Sequence, residues 1–177
     1  MEQALLEKIN SKKIVAEAYN LAEDAHKGQQ RKNGEDYILH LRRTGIILHE
    51  WGASDPIISA GYLHDVVEDK KISLDVIKGK FCERVAFLVD GVTKLPKEED
   101  LTGQKTLEKI AKYSAKDLGV LLIKLADRID NLESHAPAEW KREKYYKSTK
   151  EFLIPLAKSY GLNSIADELE KSLKELE

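Results

Sequence analysis

Apolar residues recur along this chain at intervals of three and four, the period of a helix with one buried face. Val15, Ala16, Tyr19, Leu21, Ala22 and Ala25 form the first such run, and Gly28 stops it before the polar stretch QQRKNGED, which reads as a loop. A second run, Tyr37 to Trp51, carries Ile38, Leu41, Ile46, Ile47 and Leu48 and closes at Gly52. Asp55 before Pro56 predicts an N-cap and first helical residue, because a carboxylate accepts unbonded amide N–H groups and proline has none to leave. The helix IISAGYLHDVV follows. Ser73 caps SLDVIKGKF, and CERVAFLVDGVTKL places apolar residues at 85, 88, 89 and 92 before Pro96. After the polar loop PKEEDLTGQ, a helical pattern runs from Thr106 to Tyr113. Asp117 opens DLGVLLIKLADRIDNLES, apolar on almost every face, which predicts a central helix. GVLLIKLA also fits a buried parallel strand, but a doubly wound sheet needs several such runs with glycine-rich turns and the chain has no second one. Lys141 to Ala157, kinked or ended by Pro155, and Asn163 to Leu176 complete an all-α reading of about eight to ten helices.

No linker, charge block or repeat divides the 177 residues, so one domain is expected over 1–177, with its motif-bearing core at about 12–162. The 29 Lys+Arg against 31 Asp+Glu leave a formal charge of -2, without the basic excess that nucleic-acid binding requires. Apolar stretches such as Gly119 to Ile123 fall far short of the roughly 18 residues of a membrane span, and MEQALLEKINSKK has no signal core. No membrane association is expected. The single cysteine, Cys82, has no disulfide or zinc partner and suits a reducing, cytoplasmic setting, where it reads as an ordinary small hydrophobe.

The chemistry concentrates in YLHDVVED. His64, Asp65, Glu68 and Asp69 crowd the end of an apolar helix, where burying so many ionisable groups is costly unless something compensates. A divalent cation compensates directly, since imidazole and carboxylate together suit manganese, iron or cobalt. If the helix continues, Glu68 lies one turn beyond His64 and Asp69 one turn beyond Asp65, placed for acid/base work. The other reading is a solvated helix end with an ordinary acidic cluster. His40 sits among apolar neighbours in YILH and needs a hydrogen bond or a metal. Asp127 interrupts the most hydrophobic helix and needs either a metal or a partner, for which Arg128 is adjacent. Two histidines and two aspartates from three helices would leave coordination positions for water and substrate.

These residues resemble the HD-domain phosphohydrolases, and within them the (p)ppGpp hydrolase domains of RelA/SpoT proteins and the stand-alone small alarmone hydrolases. The family's H...HD...D pattern falls on His40, His64 with Asp65, and Asp127, and the hydrolase branch adds a pair matching Glu68 and Asp69. AHKGQQRKNGEDYILH, FCERVAFLVDGVTKL, KLADRIDN and FLIPLAKSYGL are each similar to the corresponding hydrolase segment. The resemblance implies an all-helical, usually manganese-dependent enzyme that removes the 3′-pyrophosphate of ppGpp or pppGpp to leave GDP or GTP, with no synthetase domain alongside. It implies metal ligation by His40, His64, Asp65 and Asp127, and water activation by Glu68 and Asp69. It places Arg31 and Lys32 against the nucleotide and Asn131 against the sugar, and makes Lys94 and Lys144, after Trp140, candidate phosphate contacts. From residue types alone, Arg31 and Lys32 also read as a solvated loop and Asn131 as a surface amide. The chain departs from the family pattern at Leu41, where proline is usual, and at Asp130, whose added negative charge bears on an anionic substrate. ESHAPAEWKREK is closer to the metazoan SpoT homologue. Another phosphorylated nucleotide, such as the 2′-phosphate of NADPH, and a non-catalytic nucleotide-binding module are the competing expectations.

Overall fold

The periodic segments are helices in a computed structural model of the protein, which describes residues 2–70, 72–96, 99–100, 103–134 and 139–175, the side chains of 2, 69, 70 and 139–142 excepted. Among the described residues there is no β-strand, only one isolated bridge between Gln30 and Asp36, and GVLLIKLA is helical. The all-α expectation holds. No helix among those residues is long and apolar enough to cross a membrane. Packing divides the chain into two units, 1–123 and 124–177.

The first unit begins with a helix that the periodicity did not single out, α1 (Glu2–Ile9), which buries Leu6 and Ile9. It continues through α2 (Lys13–Ala25), α3 (Tyr37–Glu50), α4 (Asp55–Leu63), α5 (Val66–Lys70), α6 (Leu74–Lys80), α7 (Glu83–Val92) and α8 (Gln104–Ser114) to the start of α9 (Gly119–Glu133). Helix α4 is its centre: every residue from Ile57 to Leu63 is buried, and α2, α3 and α7 all pack on it. The sequence explains this, because IISAGYL is apolar or small on every face. Small residues also allow close approach. A Cβ on Gly45 of α3 would lie 2.6 Å from Cζ and 2.8 Å from Oη of the fully buried Tyr62 of α4. One on Gly61 of α4 would run into Cδ1 of Leu48 on α3. The two glycines therefore set how closely α3 and α4 cross.

Helix starts follow the expected chemistry with one shift. Ser73 Oγ accepts from Val76 N at 3.3 Å, capping α6 as read. At α4 the cap position is Ser54, with Asp55 and Pro56 inside the first turn. Before α9, Asp117 accepts from Gly119 N at 2.9 Å and from Arg84 Nε at 2.7 Å. The Arg84 guanidinium holds the Asp117 carboxyl below its ordinary value against the opposing effect of burial. A carboxyl depressed in the folded state contributes stability above its unfolded value of about 3.9, lost as pH falls through the folded value. Asp117→Ala is expected to cost about 1–2 kcal/mol near neutrality, the sum of a cap and a partly exposed ion pair. Urea denaturation should show that deficit from pH 7 down to about pH 4 and its shrinkage below.

The second unit holds the rest of α9, then α10 (Glu139–Ser148), a π-helical turn (Thr149–Leu153), α11 (Ile154–Ser159) and α12 (Asn163–Lys174). Lys141 to Ala157 is thus not one helix but three consecutive pieces, and Pro155 sits in the first turn of α11, where a missing N–H costs nothing. Arg128 meets the start of the π turn. Its side chain is buried and donates from Nη1 to Tyr145 O at 3.0 Å, to Ser148 Oγ at 3.0 Å and to Thr149 Oγ1, with the guanidinium 4.4 Å from the centre of the Tyr145 ring. A cation placed on the last carbonyls of α10 opposes the negative end of that helix and satisfies an acceptor. Arg128 therefore serves α10. Its hydrogen bonds go to these acceptors, while the adjacent Asp127, its expected partner, attracts it electrostatically.

Candidate metal centre

The helix IISAGYLHDVV breaks where the chemistry begins. Helix α4 ends at Leu63, His64 and Asp65 form a turn, and α5 starts at Val66. In a continuous helix neighbouring side chains diverge by about 100°. At this break they converge, with His64 Nε2 and Asp65 Oδ2 3.1 Å apart. His40, from the first turns of α3, brings its Nε2 to 3.3 Å from His64 Nε2 and 3.8 Å from Asp65 Oδ2. All three residues are buried, at 2, 5 and 9 % exposure.

Their donor atoms lie within 4.8 Å of one another, and the group could hold a metal ion. Two imidazole nitrogens and a carboxylate oxygen suit a divalent transition cation, and donors about 2.0–2.2 Å from a shared ion stand roughly 3–3.5 Å apart. The ring orientation agrees. His64 Nδ1 lies 2.7 Å from the carbonyl of Gly61, which only accepts, so Nδ1 donates there and Nε2 is the ring nitrogen that faces the cluster. The residues present therefore fit a divalent metal.

Sequence reasoning missed the group that holds Asp65. Tyr37 Oη donates to Asp65 Oδ2 at 2.5 Å, and its ring stacks on buried His26 at 4.6 Å between centroids. Tyr37 precedes His40 by three residues and so shares its helix face, the one signal that pointed to it. His26 is itself held in place, with Nδ1 3.0 Å from Gln29 Oε1.

The remaining expected residues fall into separate groups. Glu68 and Lys94 meet, with Lys94 Nζ 2.9 and 3.1 Å from the two Glu68 carboxylate oxygens. The side chain of Asp69 lies outside the described residues, as do residues 135–138 and the Trp140 side chain. The loop between α2 and α3 is not a loosely solvated segment: Arg31 N donates to Glu35 O at 2.8 Å, and Arg43 grips Glu35 in a two-pronged ion pair at 2.7 Å for each bond. Glu35 draws the Arg31 side chain in as well, leaving it 8 % exposed with Nη1 3.9 Å from Glu35 Oε2, while Lys32 faces solvent. In the second unit, Lys124 Nζ binds Asp127 Oδ2 at 2.7 Å and Asn131 donates to Asp127 Oδ1 at 2.5 Å. Lys124 is thus a hydrogen-bonded cationic partner of Asp127, beside the electrostatic attraction of the adjacent Arg128. Asp130 is buried and accepts from Ser134 Oγ at 3.1 Å, and Lys144 is exposed on α10.

Comparison with known proteins places these residues in a family. Residues 18–163 match the profile described as HD domain. The chain is 41% identical over 160 residues to a GTP pyrophosphokinase of Streptomyces coelicolor, a match covering 88% of this chain and 19% of that protein. It is 40% identical over 158 residues to a guanosine-3′,5′-bis(diphosphate) 3′-pyrophosphohydrolase of Aquifex aeolicus, covering 88% of this chain and 23% of that one. The chain thus spans about a fifth of the length of these curated relatives. A solved structure described as a metazoan ortholog of SpoT that hydrolyzes ppGpp superposes with a TM-score of 0.69 at 26% identity, covering 93% of this chain and 94% of that one. The profile takes in both histidines, both aspartates and the helices that carry them, and the chain belongs to the HD-domain family.

Proposed function

We propose that the chain is a divalent-metal-dependent 3′-pyrophosphohydrolase of guanosine 3′,5′-bis(diphosphate) and its 5′-triphosphate analogue, with manganese as its metal. The observation that carries this reading is the convergence of His40 Nε2, His64 Nε2 and Asp65 Oδ2 in a chain similar to ppGpp hydrolases. Asp127 is the fourth ligand in this proposal. Its carboxylate is already oriented by Lys124 and Asn131 within its own unit.

When bound, a divalent cation supplies Lewis-acid polarisation of a phosphoryl oxygen and lowers the pKa of water. The chain's own residues do the rest. Glu68 accepts the proton of the attacking water and Asp69 orients that water. The P–O bond to the 3′ oxygen breaks, the water oxygen ends on the departing pyrophosphate, and the 3′ oxygen takes up a proton. Lys94, anchored on Glu68, and Lys144 meet the anionic phosphates; Arg31 stacks on the base and Lys32 meets phosphate, and Asn131 meets the sugar. Guanidinium stacks on a planar base where ammonium serves as a point charge, which gives Arg31 and Lys32 separate tasks.

The test is incubation of metal-stripped protein, resupplied with manganese, with ppGpp, and separately with NADPH, resolving products by ion exchange. GDP and pyrophosphate, lost with chelator, are expected. Intact ppGpp with a metal-loaded protein would overturn the substrate, and release of phosphate from NADPH alone would replace it.

A further inference from the structure

We infer that Tyr37 is a positioning residue of the metal centre: its hydroxyl fixes the Asp65 carboxylate before the ion arrives and so sets the affinity of the site. The inference rests on the proposal that His40, His64 and Asp65 hold a divalent cation. Asp65 stands in a turn between two helices, and the Tyr37 bond of 2.5 Å is a strong one for a carboxylate. An ionised carboxylate oxygen has two lone-pair directions, so Oδ2 can accept from Tyr37 and still face His64 Nε2 at 3.1 Å.

Tyr37 is itself held from three sides. Its ring lies on His26 with 8° between planes, and His26 is fixed through Gln29. Its backbone N donates to Gln29 O at 2.9 Å, tying the start of α3 to the loop that carries Arg31 and Lys32. Its ring edge meets His40, 5.8 Å away and nearly perpendicular, so a single aromatic backs two of the three donors. Such outer partners orient a ligand and tune its basicity, and their removal costs about 10–100-fold in metal affinity.

Tyr37→Phe keeps the ring, its stack on His26 and its contact with His40, and deletes only the hydroxyl. Calorimetric titration of metal-free protein with manganese should give a dissociation constant about 10–100-fold higher than wild type, while the metal-free protein stays folded with its thermal midpoint lowered by a few degrees through the lost hydrogen bond. Cobalt(II) in place of manganese adds a reading that a merely structural role does not move: a shifted visible absorption spectrum, since Asp65 then ligates without its fixed orientation. Equal manganese affinity and an identical cobalt spectrum in the two proteins would overturn the role of Tyr37 alone. Wild-type protein that binds neither ion would overturn the metal centre itself, and with it this inference.

Discussion

Glu68→Gln is expected to lower ppGpp turnover by about 10²–10⁴-fold, the range that one positioned general acid or base contributes, while leaving manganese affinity within about twofold of wild type. The amide keeps the shape and hydrogen-bonding reach of the carboxylate but cannot take a proton from water. The geometry separates the two readouts, because Glu68 lies outside the group of donors formed by His40, His64 and Asp65 and spends both oxygens on Lys94. Lys94→Met supplies the comparison. It removes the cation from the same pair, so its principal expected effect is a raised KM for an anionic substrate, with a smaller change in kcat. Initial rates across substrate and metal concentration measure all of this. A parallel loss of metal affinity in Glu68→Gln would make Glu68 a ligand instead, and an unchanged kcat would remove it from the chemistry.

The sequence carried the helices well where one face was apolar, as in α2, α3 and α7, because period and burial there are the same fact. It also carried His40, His64 and Asp65, since ionisable groups in apolar segments require compensation wherever they fold. The break at His64 and Asp65 was illegible: LHDVV continues the apolar pattern of α4, and local propensity contains nothing that ends the helix there. The adjacent side chains of His64 and Asp65 nevertheless converge there. Tyr37 was hidden for a different reason, since an aromatic at the start of an amphipathic helix reads as core until the partner of its hydroxyl, 28 residues away, is known. Arg128 was legible in part: adjacency gives it an electrostatic attraction to Asp127, whereas neighbours on a helix point apart and its hydrogen-bond acceptors lie on α10 and the π turn, 17 to 21 residues on.

Gly45→Ala and Gly79→Ala, the same chemical change inside two helices of one unit, are expected to move stability in opposite directions. Alanine favours a helix over glycine by about 1 kcal/mol, and at Gly79 of α6, where an added Cβ meets nothing within 4 Å, that gain of about 0.5–1 kcal/mol should appear unopposed. At Gly45 the added methyl enters the Tyr62 ring, 2.6 Å from Cζ, and the ring has no room to retreat because Tyr62 is fully buried and its edge already packs on Tyr19 at 5.4 Å between centroids. Overpacking of this kind costs about 1–3 kcal/mol beyond what propensity returns. The cost reaches the metal centre, because relief comes by moving α3 away from α4, and those two helices deliver His40 and His64 to a separation of 3.3 Å. Manganese affinity should therefore fall in Gly45→Ala and stay constant in Gly79→Ala. Urea midpoints together with metal titrations distinguish the cases: a destabilised Gly45→Ala with unchanged affinity would mean that the ring yields and the helices do not, whereas a stabilised one would show that the close crossing of α3 and α4 is not what spaces the two histidines.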